Sequence, residues 1–296
     1  MTFDDLEKST QLATPLELYL FDTGSKTYAY CNGDNDFTFG VNPYTNAAEI
    51  YRAVPVDRDR ITSSGTLDRS ALVVRIADTT DIAALLRGYP VSSVVTLVIR
   101  QGHAEASPDF LVAWAGRVLS AKGGNDGVRQ VTCQPASTSL KRTGLRRNWQ
   151  YGCPHALYGP ACRADQAYAT VSTAAVGANR STAFIADGVL TARAPLDRWQ
   201  GGLVQWTDAD GAVQIRTILR VTDQPGGTTS LSLGGPASYP AGATLAISLG
   251  CDRTMNDCRT LHRPRDEADY GGGNIRNYGG QPFIPTNNPI GLSRNY

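Results

Sequence analysis

The sequence predicts a mainly β protein built from two β-barrel or sheet domains. The first carries one packed helix, the second is closed by a four-cysteine cluster, and an extended C-terminal arm follows. Three observations carry this prediction. Short alternating or β-branched runs recur along the chain, punctuated by turns rich in Gly, Pro, Asn and Asp. Helical periodicity is clear in only one segment of the first half. Four of the six cysteines form two clasps, Cys153-Pro-His-Ala-Leu-Tyr-Gly-Pro-Ala-Cys162 and Cys251-Asp-Arg-Thr-Met-Asn-Asp-Cys258, which bracket a segment the size of a small β domain. The domains run 1–150, 151–258 and 259–296.

Composition sets the outer limits. A chain of 296 residues can form two domains with a sizeable core. A net charge of +1 gives no bulk attraction to nucleic acid or to an anionic membrane. No apolar run is long enough to span a bilayer. Met1 to Thr14 is polar and acidic, without the apolar core of a signal peptide. The expectation is folding in a reducing cytosol, where thiols persist.

In the first domain, residues 16–22 alternate as a half-buried strand does, and Thr27 to Cys31 is the return strand across the turn at 23–26. Phe37 to Val41 and Glu49 to Val54 are two further strands. The alternating charges of Asp57-Arg58-Asp59-Arg60 read as a solvated edge or an intersubunit rim rather than as chemistry. Ala71 to Ile76 is β-rich. Asp78 to Arg87 is the helix, capped by Asp78, Thr79 or Thr80, with Ile82, Leu85 and Leu86 on one face and Gly88 at its end. Val91 to Arg100 is β-branched enough for a central strand. Phe110 to Leu119 and Gly127 to Gln134 pair across the turn at 122–126. Cys31 and Cys133 lie in strand contexts and read as small buried hydrophobes. His103, at a strand end without an acid or nucleophile nearby, reads as structural.

Lys141, Arg142, Arg146 and Arg147 concentrate positive charge before the first clasp. They form either a solvated linker or a counter-charge to an anionic thiolate site. Residues 163–250 read as a compact barrel of strands at 183–186, 189–192, 203–207, 214–221, 228–233 and 244–249, with Trp199 and Trp206 supplying core or interface area. Arg259 to Asp269 is charged. Tyr270 to Tyr296 is rich in Gly, Asn and Pro and reads as extended chain.

Cys162 stands just before the barrel and Cys251 directly after it, so the economical reading is one shared four-thiolate site. Chain entropy disfavours closing a long loop only slowly with its length, and a metal there would add folding free energy. Four thiolates suit an iron–sulfur cluster and, second, a closed tetrahedral Zn2+ site. The gaps within each clasp are wider than structural zinc prefers, so each clasp must fold back on itself, helped by Pro154, Gly159 and Pro160. Two local disulfides, or inert thiols, are the alternatives.

Residues 151–165 around the first clasp, Gly250-Cys251-Asp252-Arg253 to Cys258-Arg259, and Asn277-Tyr278-Gly279-Gly280-Gln281-Pro282-Phe283-Ile284-Pro285 together resemble the motifs of the tail-tip hub proteins of long-tailed phages, lambda-like ones included, and of gene-transfer agents. The likeness covers the second half; the first half matches in size and β character. The resemblance implies a [4Fe–4S] cluster on Cys153, Cys162, Cys251 and Cys258. It implies a homotrimer at the end of the tail tube that joins the distal tail or tube protein ring to a central fibre or tip protein. It places Asn277, Tyr278, Pro282 and Pro285 in partner binding. The stretch from Leu261 to Gly273 is longer than usual in that family, and an Asp-His-Asp run near the first hairpin is missing.

The expected function is therefore that of a structural tail-tip or baseplate hub, found in the virion and in host cytoplasm during assembly. It is not an enzyme, spans no membrane and reads no specific nucleic-acid sequence. An iron–sulfur redox protein is one alternative, although electron carriers place their cysteines in tighter runs. A disulfide-stapled virion binding module is another. No Cys/His or carboxylate pair supports peptidoglycan hydrolysis.

Overall fold

The computed structural model describes Lys8 and residues 14–284, apart from 63–70, 88–90, 107–109, 125, 142–143, 145–148, 209–210, 238, 240–241 and 266–272. The chain divides after Gly144 into two compact units.

The first unit is a nine-stranded sheet made of β1 (Pro15–Asp22), β2 (Thr27–Cys31), β3 (Phe37–Val41), β4 (Ala48–Ala53), β5 (Val56–Arg58), β6 (Leu72–Ala77), β7 (Thr96–His103), β8 (Leu111–Gly123) and β9 (Val128–Pro135). The strand order is β3-β4-β2-β1-β7-β8-β9-β6-β5. The β2–β4 pair is parallel, and the other pairs are antiparallel. Arg58 on the edge strand β5 donates to the Glu17 carboxylate on β1 at 2.5 Å, so the sheet curls until its far edge meets its middle. Asp57 and Asp59 pair with Arg75. The charged run therefore lies on a solvated edge strand, as the sequence suggests; its aspartates pair with the neighbouring strand β6, and Arg58 reaches across the curl. Phe21, Val74, Ile76, Leu97, Ile99 and Val131 fill the interior.

The helix, α1 (Asp81–Leu85), is shorter than the sequence suggests. Thr80 is its N-cap and accepts a hydrogen bond from Ala83 N–H, so the helix starts there and not at Asp78. Ile82 and Ala83 bury it on the sheet. Gly88 lies outside the described residues. The strand expected over 91–100 begins only at Thr96, although Val95 just before it still accepts Val118 N–H at 2.8 Å. Cys31, Cys133 and His103 are all buried.

The second unit is a closed antiparallel barrel of β10 (Thr170–Asn179), β11 (Thr182–Ala186), β12 (Leu203–Thr207), β13 (Val213–Gln224), β14 (Thr228–Leu233) and β15 (Thr244–Ser248), in the order β10-β11-β14-β13-β12-β15. Two expectations need correction. β10 went unrecognised in the sequence. The strand expected over 189–192 is a turn: Ala192 N–H and Ala194 N–H reach back to Gly188 and Leu190 carbonyls at 3.0 Å, while Leu190 alone drops into the core. Alternate residues Ala183, Ile185, Val204, Trp206, Leu231, Leu245 and Ile247 face inward, and Trp199 is fully buried.

β15 leads through Gly250 into Cys251. A side chain at Gly250 would run into the Gln200 carbonyl, so this tight exit requires glycine. The second clasp then forms a helix that the sequence reading treated as loop, α2 (Met255–Thr260).

Candidate metal centre

The four clasp cysteines line one cavity of about 240 Å³ in the second unit. The two distant couples therefore meet in space. None of the six cysteines forms a disulfide.

Each clasp is shaped locally. In the first, Gly159 N–H closes a turn onto the Ala156 carbonyl at 3.0 Å, and Arg163 N–H returns to the Gly159 carbonyl at 2.9 Å. Tyr158 O–H donates to the Leu249 carbonyl at 2.6 Å and so ties this clasp to the end of the barrel. In the second, Thr254 caps α2 by accepting from Asp257 N–H at 3.1 Å. Asp257 is 2% exposed. Its carboxylate accepts Asp252 N–H at 2.9 Å and Arg198 Nη1–H at 3.1 Å, which locks the turn between Cys251 and Cys258.

Tyr158, Arg163 and Arg253 hold left-handed backbone at φ 58°, 52° and 65°. A non-glycine residue there is strained by about 1–3 kcal/mol. At Arg253 the conformation aims its N–H at Cys251 Sγ, 3.4 Å away, while its carbonyl accepts Cys153 N–H at 2.9 Å. The backbone of one residue thus links both clasps.

A strap after residue 273 crosses the cavity. Asn274 is 1% exposed. Its N–H donates to the Cys258 carbonyl at 3.0 Å and its Nδ2–H to the Cys162 carbonyl at 2.8 Å, while its own carbonyl accepts Cys258 Sγ–H at 3.3 Å. Gly279 N–H donates to Cys153 Sγ at 3.5 Å. The Asn277 carbonyl accepts His155 Nδ1–H at 3.1 Å. Tyr278 O–H reaches the Tyr151 and Arg253 carbonyls at 3.0 and 3.3 Å. Asn277 and Tyr278 thus line the cavity. Pro282 is half-buried beside the exposed Phe283, and Pro285 lies outside the described residues. Of the basic stretch, Arg142, Arg146 and Arg147 also lie outside them.

Burial pushes the Cys251 and Cys258 thiols up to about 12, and for Cys258 the other three cysteines add to the effect. Without a cation both are neutral near pH 7, so a bound metal must displace protons. Burial also lowers the His262 pKa and keeps the ring neutral.

Among the described residues, no three of the four sulfurs lie within 4.8 Å of one another. A tetrahedral zinc with 2.3 Å bonds would need sulfur–sulfur edges of roughly 3.8 Å. The all-thiol corners, with N–H donors aimed at Cys153 and Cys251, are a donor set that an iron–sulfur cluster or a zinc ion could use.

Sequence reading identified the four cysteines but missed Asn274, Asp257 and His262. The pattern Thr254-x-x-Asp257 is a helix-start signal that pointed to α2 and to Asp257. Nothing local marks Asn274 or His262.

Residues 197–288 match the family model described as phage conserved hypothetical protein BR0599, a stretch that includes the second clasp and the strap but not the first clasp. Comparison with curated proteins gives no match. Among solved structures, the fold is similar to that of a chain in the "Virion of native gene transfer agent (GTA) particle". The TM-score is 0.72 at 16% identity, covering 98% of this chain and 94% of that chain.

Proposed function

We propose that this chain is a structural component of a phage-type virion, acting as a tail-tip hub with its second unit fastened by a [4Fe–4S] cluster on Cys153, Cys162, Cys251 and Cys258. One observation carries the reading: two cysteine couples from opposite ends of a barrel line a single cavity, within a fold like that of a gene-transfer-agent virion chain along almost its whole length. The phage family model over 197–288 supports the same setting.

The cluster would supply four rigid iron–sulfur bonds between segments that otherwise meet through hydrogen bonds. The chain's own residues do the rest. Arg253 and Asn274 orient the cysteines, Gly279 and Arg253 offer N–H groups to sulfur, and the strap shields the cavity. The protein works through interfaces, as a homotrimer between a tube or distal-tail ring and a central fibre or tip protein. Exposed Val176, Val213 and Leu219 on the second unit, and Phe283 on the arm, are apolar surface for such contacts.

Anaerobic purification with iron and acid-labile sulfide analysis tests the centre. About four of each per chain are expected; zinc alone, or no metal, overturns it. Particle micrographs with this chain labelled test the position, and label away from the tail end rejects the hub assignment.

A further inference from the structure

Cys251 Sγ, a carboxylate oxygen of Asp257 and a ring nitrogen of His262 lie within 4.8 Å of one another. This is tighter than any three of the four sulfurs. Asp257 and His262 are 2% and 4% exposed. Each is held as metal ligands are held. His262 Nε2–H donates to the Gly250 carbonyl at 3.0 Å, which leaves the lone pair on Nδ1, and Nδ1 has no hydrogen-bond partner. A ring N–H spent on a backbone carbonyl is the usual support of a metal-binding imidazole. The Asp257 carboxylate is oriented by Arg198 and by Asp252 N–H. Tyr158 packs edge-on against His262 with ring centres 6.0 Å apart and fixes its plane.

We propose that Cys251, Asp257 and His262 form a second metal site, for a single borderline divalent ion such as Zn2+ or Co2+. One sulfur, one nitrogen and one oxygen suit such an ion, with water or a neighbouring thiolate completing a tetrahedron. Binding displaces the Cys251 thiol proton to solvent, and no electron transfer is involved. Because Cys251 also belongs to the four-thiol set, the ion and a cluster exclude one another. The site makes the metal-free chain a holder of one ion until iron and sulfide displace it. This inference does not need the cluster assignment to be correct.

The test uses the full chain, stripped of metal anaerobically and titrated with Co2+. The expected result is one ion per chain with a thiolate-to-cobalt charge-transfer band. His262→Gln should weaken binding by at least about tenfold, with unchanged circular dichroism and uptake of iron and sulfide retained. Cys153→Ser should keep the cobalt band and lose the iron and sulfide. No cobalt band in the wild type, or a band that survives His262→Gln and vanishes in Cys153→Ser, overturns the proposal. Failure of the wild type to take up iron and sulfide, with the cobalt results as expected, would overturn the cluster assignment and leave this site standing.

Discussion

Replacing Asn274 with alanine should loosen the second unit out of proportion to the size of the change. The side chain is buried and makes two short bonds, donating to the Cys162 carbonyl and accepting from Asn277 Nδ2–H, each at 2.8 Å. A neutral hydrogen bond contributes about 1 kcal/mol net, and a buried partner left unsatisfied costs about 1–3 kcal/mol. Cys162 and Asn277 are only half-buried, so water recovers part of that cost. The expected loss is about 2 kcal/mol. For a unit of this size that lowers the melting temperature by roughly 4–8 °C. Urea unfolding of the metal-free protein measures the first quantity and calorimetry the second. Asn277→Ala breaks only the second side-chain bond and should cost about half as much. If Asn274→Ala loses less than about 0.5 kcal/mol, or no more than Asn277→Ala, the strap is not pinned to the clasps through this residue.

Three further outcomes are expected. Changing Cys153, Cys162 or Cys258 to Ser should abolish iron and sulfide uptake, whereas Cys133→Ala should retain it; elemental analysis decides, and retention in any clasp mutant rejects the four-thiolate centre. Cys251 and Cys258 have folded-state values raised from 9.0 to about 12. Their contribution to the metal-free fold is therefore complete below pH 9 and fades as pH rises towards 12. Thermal melts across that window should fall with pH, and a flat profile contradicts it. Metal loading releases the same protons and should strengthen as pH rises. Arg253→Gly relieves a left-handed conformation at φ 65°. It should leave the melting temperature equal or raised, by up to about 1 kcal/mol in stability. A marked loss would show that the arginine side chain, not its backbone, joins the clasps.

The parts legible in the sequence were those with strong local contrast. β1, β2, β3, β12 and β14 alternate clearly or carry β-branched runs, and their bounds fall within about a residue of expectation. β10 reads Thr-Val-Ser-Thr-Ala-Ala-Val-Gly-Ala-Asn, small residues with little alternation; barrel closure, not propensity, makes it a strand. Leu190 shows the converse: an apolar pair at 189–190 looks like a strand, but one buried leucine in a turn satisfies it. At the site, the cysteines announce themselves by spacing. Asn274 and His262 act through partners far away in sequence, Cys162 and Gly250, so no local pattern could reveal them.

The seam between β10 and β15 bears on when the centre can matter during folding. Thr170 sits opposite Ser248 in that ladder, with Cys162 a few residues upstream of one strand and Cys251 three residues past Ser248 on the other. Zipping the barrel therefore brings the two couples towards each other without needing an ion. The entropy of bringing distant chain ends together is met by strand pairing, and what remains for the inorganic part is to stiffen two short flaps. The barrel should persist as an autonomous shell without metal, and the proposed centre would harden it afterwards, like a rivet set into plates already bolted together.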